Sequence, residues 1–136
     1  MSIPPTLGIG LAVVVFNKQG QFLLGLRQGS HASGVWAFPG GAVDLGEDPY
    51  ACAIRELADE TSLVLRNPKT FPWWSYDDFG DKRRDITVFV TGEAIGNPVV
   101  VEPSKCGGWR WCSASDTPRP LFPGIEELLV SGLLWR

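Results

Sequence analysis

Apolar and polar positions along this chain fall into short blocks of changing period. Residues 8 to 16, GIGLAVVVF, form a β-branched run that predicts a buried strand. GQFLLGLR (20 to 27) follows across the turn NKQG, which predicts a hairpin. QGSHASG has loop chemistry, and VWAFPGG reads as a short strand stopped by Pro39 and two glycines. From Glu47 to about Thr61 the spacing becomes helical. TFPWWSYDDF and DITVFVTGEAI flank the polar turn GDKRR and predict a second strand pair. GWRWC alternates as a half-buried strand does, and GIEELLVSGLL (124 to 134) has the period of a closing amphipathic helix. Grouped strands with two separated helices predict a mixed β-sheet sandwiched between helices, an α/β/α arrangement. With no repeat and no low-complexity linker, residues 1–136 read as one domain.

Composition narrows the function classes. At 136 residues and 44% hydrophobic, the chain can bury a core of its own. A net charge of −3 provides no basic field for a nucleic-acid duplex, so an anionic ligand needs a local arrangement. The N-terminal apolar run has no Lys or Arg before it and soon reaches Asn17 and Lys18. It predicts neither a membrane span nor a signal peptide. Cys52, Cys106 and Cys112 are irregularly spaced without a C-x-x-C pair, which suits free thiols in a reducing cytoplasm.

The chemistry concentrates in FPGGAVDLGEDPYACAIRELADETSL, residues 38 to 63. At about 100° per residue, with Arg55 at zero, Asp59 falls near 40°, Glu56 near 100° and Glu60 near 140°. Ala51, Ile54, Leu57, Ala58 and Thr61 fall between about 200° and 320°, so the wheel predicts a core-facing side opposite three carboxylates. Like charges at these spacings cost a few tenths of a kcal/mol per pair, and only Arg55 offsets them. A divalent cation would turn the repulsion into coordination, and all-oxygen donors select Mg²⁺ or Mn²⁺ over zinc.

Gly41, Glu47, Arg55-Glu56 and Glu60, with Leu57 and Leu63 at the aliphatic places, follow G-x5-E-x7-R-E-U-x-E-E-x-G-U, where U is aliphatic. This resembles the signature of the Nudix hydrolases. Asp59 stands where that family has Glu, and Ser62 where it has Gly. The resemblance implies the Nudix fold and hydrolysis of a nucleoside diphosphate linked to another group, by water attack on phosphorus. It implies that Glu56 and Glu60 ligate Mg²⁺, with Asp59 in or near the shell and a carbonyl of Gly40 or Gly41 as a further ligand. Glu60 is the candidate general base, whereas Glu47 and Arg55 join loop to helix.

Outside this box, LLGLRQGS, DITVFVTGE, VEPSKCGGWRW and LFPGIEELL occur in an order similar to MutT-like nucleotide triphosphate pyrophosphatases, which act on dGTP, 8-oxo-dGTP and related nucleotides. Arg27 is then a phosphate contact or a solvated strand end. Glu102 helps bind metal or activate water, or is a surface acid. Thr87 and Phe122 to Ile125 flank the base, with core packing the competing role for Phe122. Relatives often pair, and the surplus tryptophans permit a homodimer. A nucleotide sugar or dinucleoside polyphosphate is the alternative substrate, and a non-catalytic nucleotide-binding module the alternative of another class.

The aromatics carry two readings each. Trp73, Trp74 and Tyr76 form a stacking platform, or fill a core or dimer interface. Trp36 and Phe38 belong to the core, and one of Trp109 and Trp111 should be buried. His31 contacts phosphate, acts as a base, or is simply solvated. Cys52 shares the carboxylate side of the wheel and has no feature of a reactive thiol.

Overall fold

The computed structural model describes residues 6–29, 32–80 and 83–136. Seven strands and two helices run in the order β1 (Thr6–Phe16), β2 (Phe22–Arg27), β3 (Trp36–Ala37), β4 (Gly40–Ala42), α1 (Pro49–Thr61), β5 (Arg66–Gly80), β6 (Arg83–Glu93), β7 (Cys106–Cys112) and α2 (Ile125–Ser131). All strands join one mixed sheet of order β3-β2-β1-β6-β5, with β4 paired to β1 and β7 to β2. β1 and β6 are parallel from Thr6 opposite Arg83 to Phe16 opposite Glu93, and the other pairings are antiparallel. Both expected strand pairs are present: β2 returns beside β1, and β5 pairs antiparallel with β6.

The valine run of β1 explains why the sheet is covered twice. Side chains alternate across a strand. Val13 and Val15 join Cys52, Ala53 and Leu57 of α1. Val14 and Phe16 join Phe22, Phe89 and Ile125, Leu128 of α2. A strand buried on both faces reads as a continuous apolar run, as residues 11–16 do. Trp36 and Phe38 pack against the α2-side cluster.

The short strand expected in VWAFPGG is two strands, because the chain changes partner at Pro39. β3 pairs with β2, β4 with β1, and Val13 donates its N–H to the Pro39 carbonyl at 2.8 Å. A β-carbon on Gly40 would run into the Leu11 carbonyl, so only glycine makes this crossing.

Helix α1 begins at Pro49 rather than at Glu47. Asp48 caps it by accepting from the Ala51 N–H at 2.9 Å, and Pro in the first turn loses no helical hydrogen bond. Residues 44–47 form a turn instead, with the Glu47 N–H on the Asp44 carbonyl. The helix also sits differently on the sheet than the wheel implies. Cys52, Ala53, Leu57 and Thr61 are buried, while Ala51, Ile54 and Ala58 are exposed. Glu56 and Glu60 therefore lie within the inward arc. Two alanines offer little area to bury, so Leu57 and the contacts of Arg55 set the rotation.

Two further expectations, both on aromatic residues, are corrected. Trp109 and Trp111, two apart in β7, share one face and are both half-buried on the α1 side; Cys112 is the fully buried residue. The aromatic run of β5 is split, with Trp73 inward on the α2 side and Trp74 and Tyr76 exposed on the opposite face. His31 lies outside the described residues. All three cysteines are free thiols. Among the described residues no helix is long and apolar enough to cross a membrane.

Candidate active site

Arg55 organises the loop before α1. Its Nε and Nη2 bond the two Glu47 oxygens at 2.7 and 2.9 Å, the bidentate fork that fits a carboxylate best. Nη1 reaches Glu56 Oε1 at 2.9 Å, and Nη2 lies 3.4 Å from both Asp44 Oδ2 and the Ala42 carbonyl. Glu47 in turn accepts from the Asp44 N–H at 3.1 Å. The Arg55 hydrogen bonds, with this backbone bond, hold the Glu47 carboxyl down at about 2. Ion pairs of Arg55 thus join the loop to the helix.

Two glycines press against the two inward carboxylates. Gly41 packs so closely on Glu56 that a β-carbon would stand 2.8 Å from Oε1. Gly40 donates its N–H to Glu60 Oε2 at 3.2 Å. Burial, then a hydrogen bond and charge from Glu56, push the Glu60 carboxyl up to about 9, with Glu102 adding to the repulsion. Glu102 is half-buried and ion-paired to Lys105 at 3.3 Å. Asp59 is not brought to this pair: its side chain is 63% exposed and lies 3.8 Å from Arg55.

Among the described residues no three His, Cys, Asp or Glu side chains converge closely enough to hold an ion by themselves. The donor set still fits a hard cation. Two mutually repelling carboxylates supply oxygen only, and Mg²⁺ is commonly held by one or two carboxylates, with water and substrate phosphates completing its shell.

Two hollows meet at this point. The first, about 570 Å³, is lined by Glu56, Glu60, Glu102, Lys105 and Trp109. The second, about 290 Å³, opens on the α2 face of the sheet. Arg27, Ala37, Phe38 and residues 40–42 line both. In the second, Gly8, Gly10 and Ala12 of β1 run beside the β6 row Asp85, Thr87, Phe89, and the β5 row Trp73, Ser75, Asp77 lies on the far side of that row. Phe122, Ile125 and Leu128 also line it, and the Arg27 guanidinium lies 5.3 Å from the Phe122 ring centre.

Arg27, Thr87, Glu102 and Phe122 therefore all line one or both hollows. Asp77, Asp85 and Ser75 were not among the expected residues. The alternation that picks out Thr87 also puts Asp85 and Phe89 on its side, but only the pairing with the β1 glycines shows that this side is hollow.

The NUDIX domain family model matches residues 6–130. Among curated proteins, an RNA pyrophosphohydrolase of Caulobacter vibrioides is 30% identical across 89% of this chain and 82% of its own length. That of Roseobacter denitrificans is 27% identical across 90% and 87%. That of Azorhizobium caulinodans is 41% identical, but over only 51% of this chain and 44% of its own. Among solved structures, a MutT NUDIX hydrolase from Burkholderia pseudomallei superposes with a TM-score of 0.82 at 24% identity, covering 92% of this chain and 97% of that one. A MutT protein from Methanosarcina mazei gives 0.79 at 19%, covering 96% and 95%. At these identities the structures establish the fold.

Proposed function

Because the chain belongs to the NUDIX domain family, we propose that it is a divalent-metal-dependent nucleotide pyrophosphatase converting an NTP or dNTP, including oxidised forms such as 8-oxo-dGTP, to NMP and pyrophosphate. One observation carries this reading. A carboxylate-lined hollow and an aromatic, partly polar hollow share the wall formed by Arg27 and residues 40–42. A nucleotide could then place its phosphates in one and its base in the other.

Glu56 and Glu60 would hold the ion, Mg²⁺ or Mn²⁺, with a carbonyl of Gly40 or Gly41 as an added ligand. When bound, such an ion neutralises phosphate charge and makes a nearby water more acidic. Glu60 is the candidate to accept the proton of the attacking water, and Glu102, in the same hollow, would help orient that water. Arg55 keeps Glu56 aimed inward through its bond to Oε1. Arg27, on the shared wall, would pair with phosphate oxygens. Thr87 and Phe122 would flank the base, one as a polar group and one as an apolar surface. Asp59, turned to solvent, would reach an ion only through water.

A second reading is the triphosphate at an RNA 5′ end, favoured by curated relatives that match over most of both chains. A panel of NTPs, dNTPs, 8-oxo-dGTP, a 5′-triphosphate RNA, a nucleotide sugar and a dinucleoside polyphosphate, assayed across a Mg²⁺ titration, separates these readings. Pyrophosphate release from free nucleotides supports the first. A preference for the RNA, or for the sugar or dinucleotide, replaces it. Nucleotide binding without turnover on any substrate would leave only a binding module.

A further inference from the structure

Helix α1 covers only part of its side of the sheet. Leu11, Val13, Val15 and Val90 lie with it in one core cluster. Earlier along β1 the same face carries Ile9 and then Leu7, 44% and 59% exposed. Strand pairing sets Ile9 beside Ile86 and Ile86 beside Tyr76; it sets Leu11 beside Val88 and Val88 beside Trp74. Trp74 is 68% exposed and Tyr76 54%. Thr70 and Trp74 oppose Val90 and Val88, consecutive positions on this face. Tyr50 of α1, its hydroxyl 2.9 Å from Thr70 Oγ1, therefore marks the border of the helix's cover.

Beyond that border the usual pattern is reversed. An antiparallel pair with one solvated face keeps apolar residues in and polar residues out. Here Ser75, Asp77, Asp85 and Thr87 are half-buried on the α2 side, whereas Trp74 and Tyr76 face solvent. Neither hollow is lined by Leu7, Trp74 or Tyr76, so a ligand in those hollows does not account for them. Trp74, Tyr76, Leu7 and Ile9 together expose on the order of 500 Å², near the upper end of the largest apolar patch on an ordinary monomer.

We infer that this ledge is the interface at which a second copy of the chain packs, sheet on sheet across a two-fold axis, with Trp74 and Tyr76 of each copy at its centre. A stable interface covers about 800 Å² per partner, with an apolar centre and a polar rim. The four apolar side chains supply the centre, and Tyr50, Arg84 and Asp78 extend it to a rim. Leu7 stands beside Arg84 and Arg84 beside Asp78, so an ion pair at 3.0 Å closes the outer edge. A two-fold axis sets a surface against itself, which a patch of single sign would resist and this balanced edge allows. A sheet face also lacks the groove that a helical partner needs, whereas two sheets pack face to face about 10 Å apart. Nothing in this depends on what the hollows bind.

Sedimentation equilibrium of the full chain, without ligand, should give twice the chain mass and a dissociation constant. Trp74→Glu and Ile9→Glu should each raise that constant by about 30-fold or more, the loss expected of a central apolar anchor. Lys18→Glu, in the exposed turn beyond the far end of β1, should leave it unchanged. A wild type that stays monomeric up to about 100 μM overturns the inference, as does a dimer that survives both Glu variants. A monomer whose ledge binds some other macromolecule overturns it too. The replaced side chains are exposed in the single chain, so far-UV circular dichroism should not change. If a variant misfolds nonetheless, acrylamide quenching of the wild type against Trp74→Phe isolates the Trp74 signal. Quenching that weakens as concentration rises supports the inference; quenching independent of concentration rejects it.

Discussion

Gly41 and Glu56 leave no room between them: a β-carbon on Gly41 would stand 2.8 to 2.9 Å from all three atoms of the Glu56 carboxyl group. Gly41→Ala should therefore push Glu56 off its position without touching its chemistry. Displacements of about 1 Å at such sites cost on the order of 10²-fold in rate. Mg²⁺-dependent turnover should fall by about that factor while the melting temperature moves little, because residue 41 is exposed. Unchanged turnover would remove Glu56 from the proposed machinery.

The Arg55 fork makes a second case. Lysine keeps the charge but cannot bond both Glu47 oxygens and Glu56 Oε1 in one plane. Arg55→Lys should weaken the half-saturating Mg²⁺ concentration and turnover by about 10- to 100-fold, the usual loss when a ligand's supporting partner is removed. Glu47 supplies the matching acid test. Its carboxyl falls from 4.5 to about 2 on folding, so its stabilising contribution is complete above 4.5 and disappears as pH falls through about 2. Denaturant unfolding of Glu47→Gln should show a shallower loss of stability than wild type across that window. A parallel decline in both proteins would mean that the pair does not tighten on folding.

What the linear pattern revealed depended on how local each feature is. The loop-to-helix spacing of Gly41, Glu47, Arg55, Glu56 and Glu60 is contained within twenty residues, and Arg55 meets Glu47 and Glu56 inside that span. The rotation of α1 was hidden, because a wheel scores which residues are apolar and not how much area each would bury. Ile54 is apolar yet exposed, whereas Glu56 is charged yet turned inward. Asp85 was least legible of all. Its position over Gly8 exists only after β1 and β6 align in parallel, bringing together residues 77 positions apart.

Ser62 tests the cost of leaving the family pattern. It ends α1 at φ 66°, in the left-handed region, and its N–H returns to the Ala58 carbonyl at 2.9 Å. A side chain is strained there and glycine is not. Because Ser62 is exposed, removing its hydroxymethyl group loses little packing. Ser62→Gly should stabilise the protein by about 1 kcal/mol, raising the melting temperature by about 3 °C. A lower melting temperature would show that the serine makes a compensating contact.

Glu60 joins the metal question to stability. Its carboxyl rises from 4.5 to about 9 on folding, owing first to burial and then to Glu56. Without divalent cation the folded protein keeps a proton that the unfolded chain releases, so stability should fall as pH rises from 4.5 towards 9. A bound cation favours the ionised form and displaces that proton, which makes metal binding tighter at higher pH. Mg²⁺ should accordingly raise the melting temperature more at pH 8.5 than at pH 6, and calorimetry in buffers of different ionisation enthalpy should register proton release. Glu60→Gln cannot titrate, so its metal-free stability should vary less with pH, and its turnover should drop by about 10²- to 10⁴-fold while nucleotide binding persists. If Mg²⁺ stabilises wild type and variant equally at both pH values, the cation is not held by Glu60.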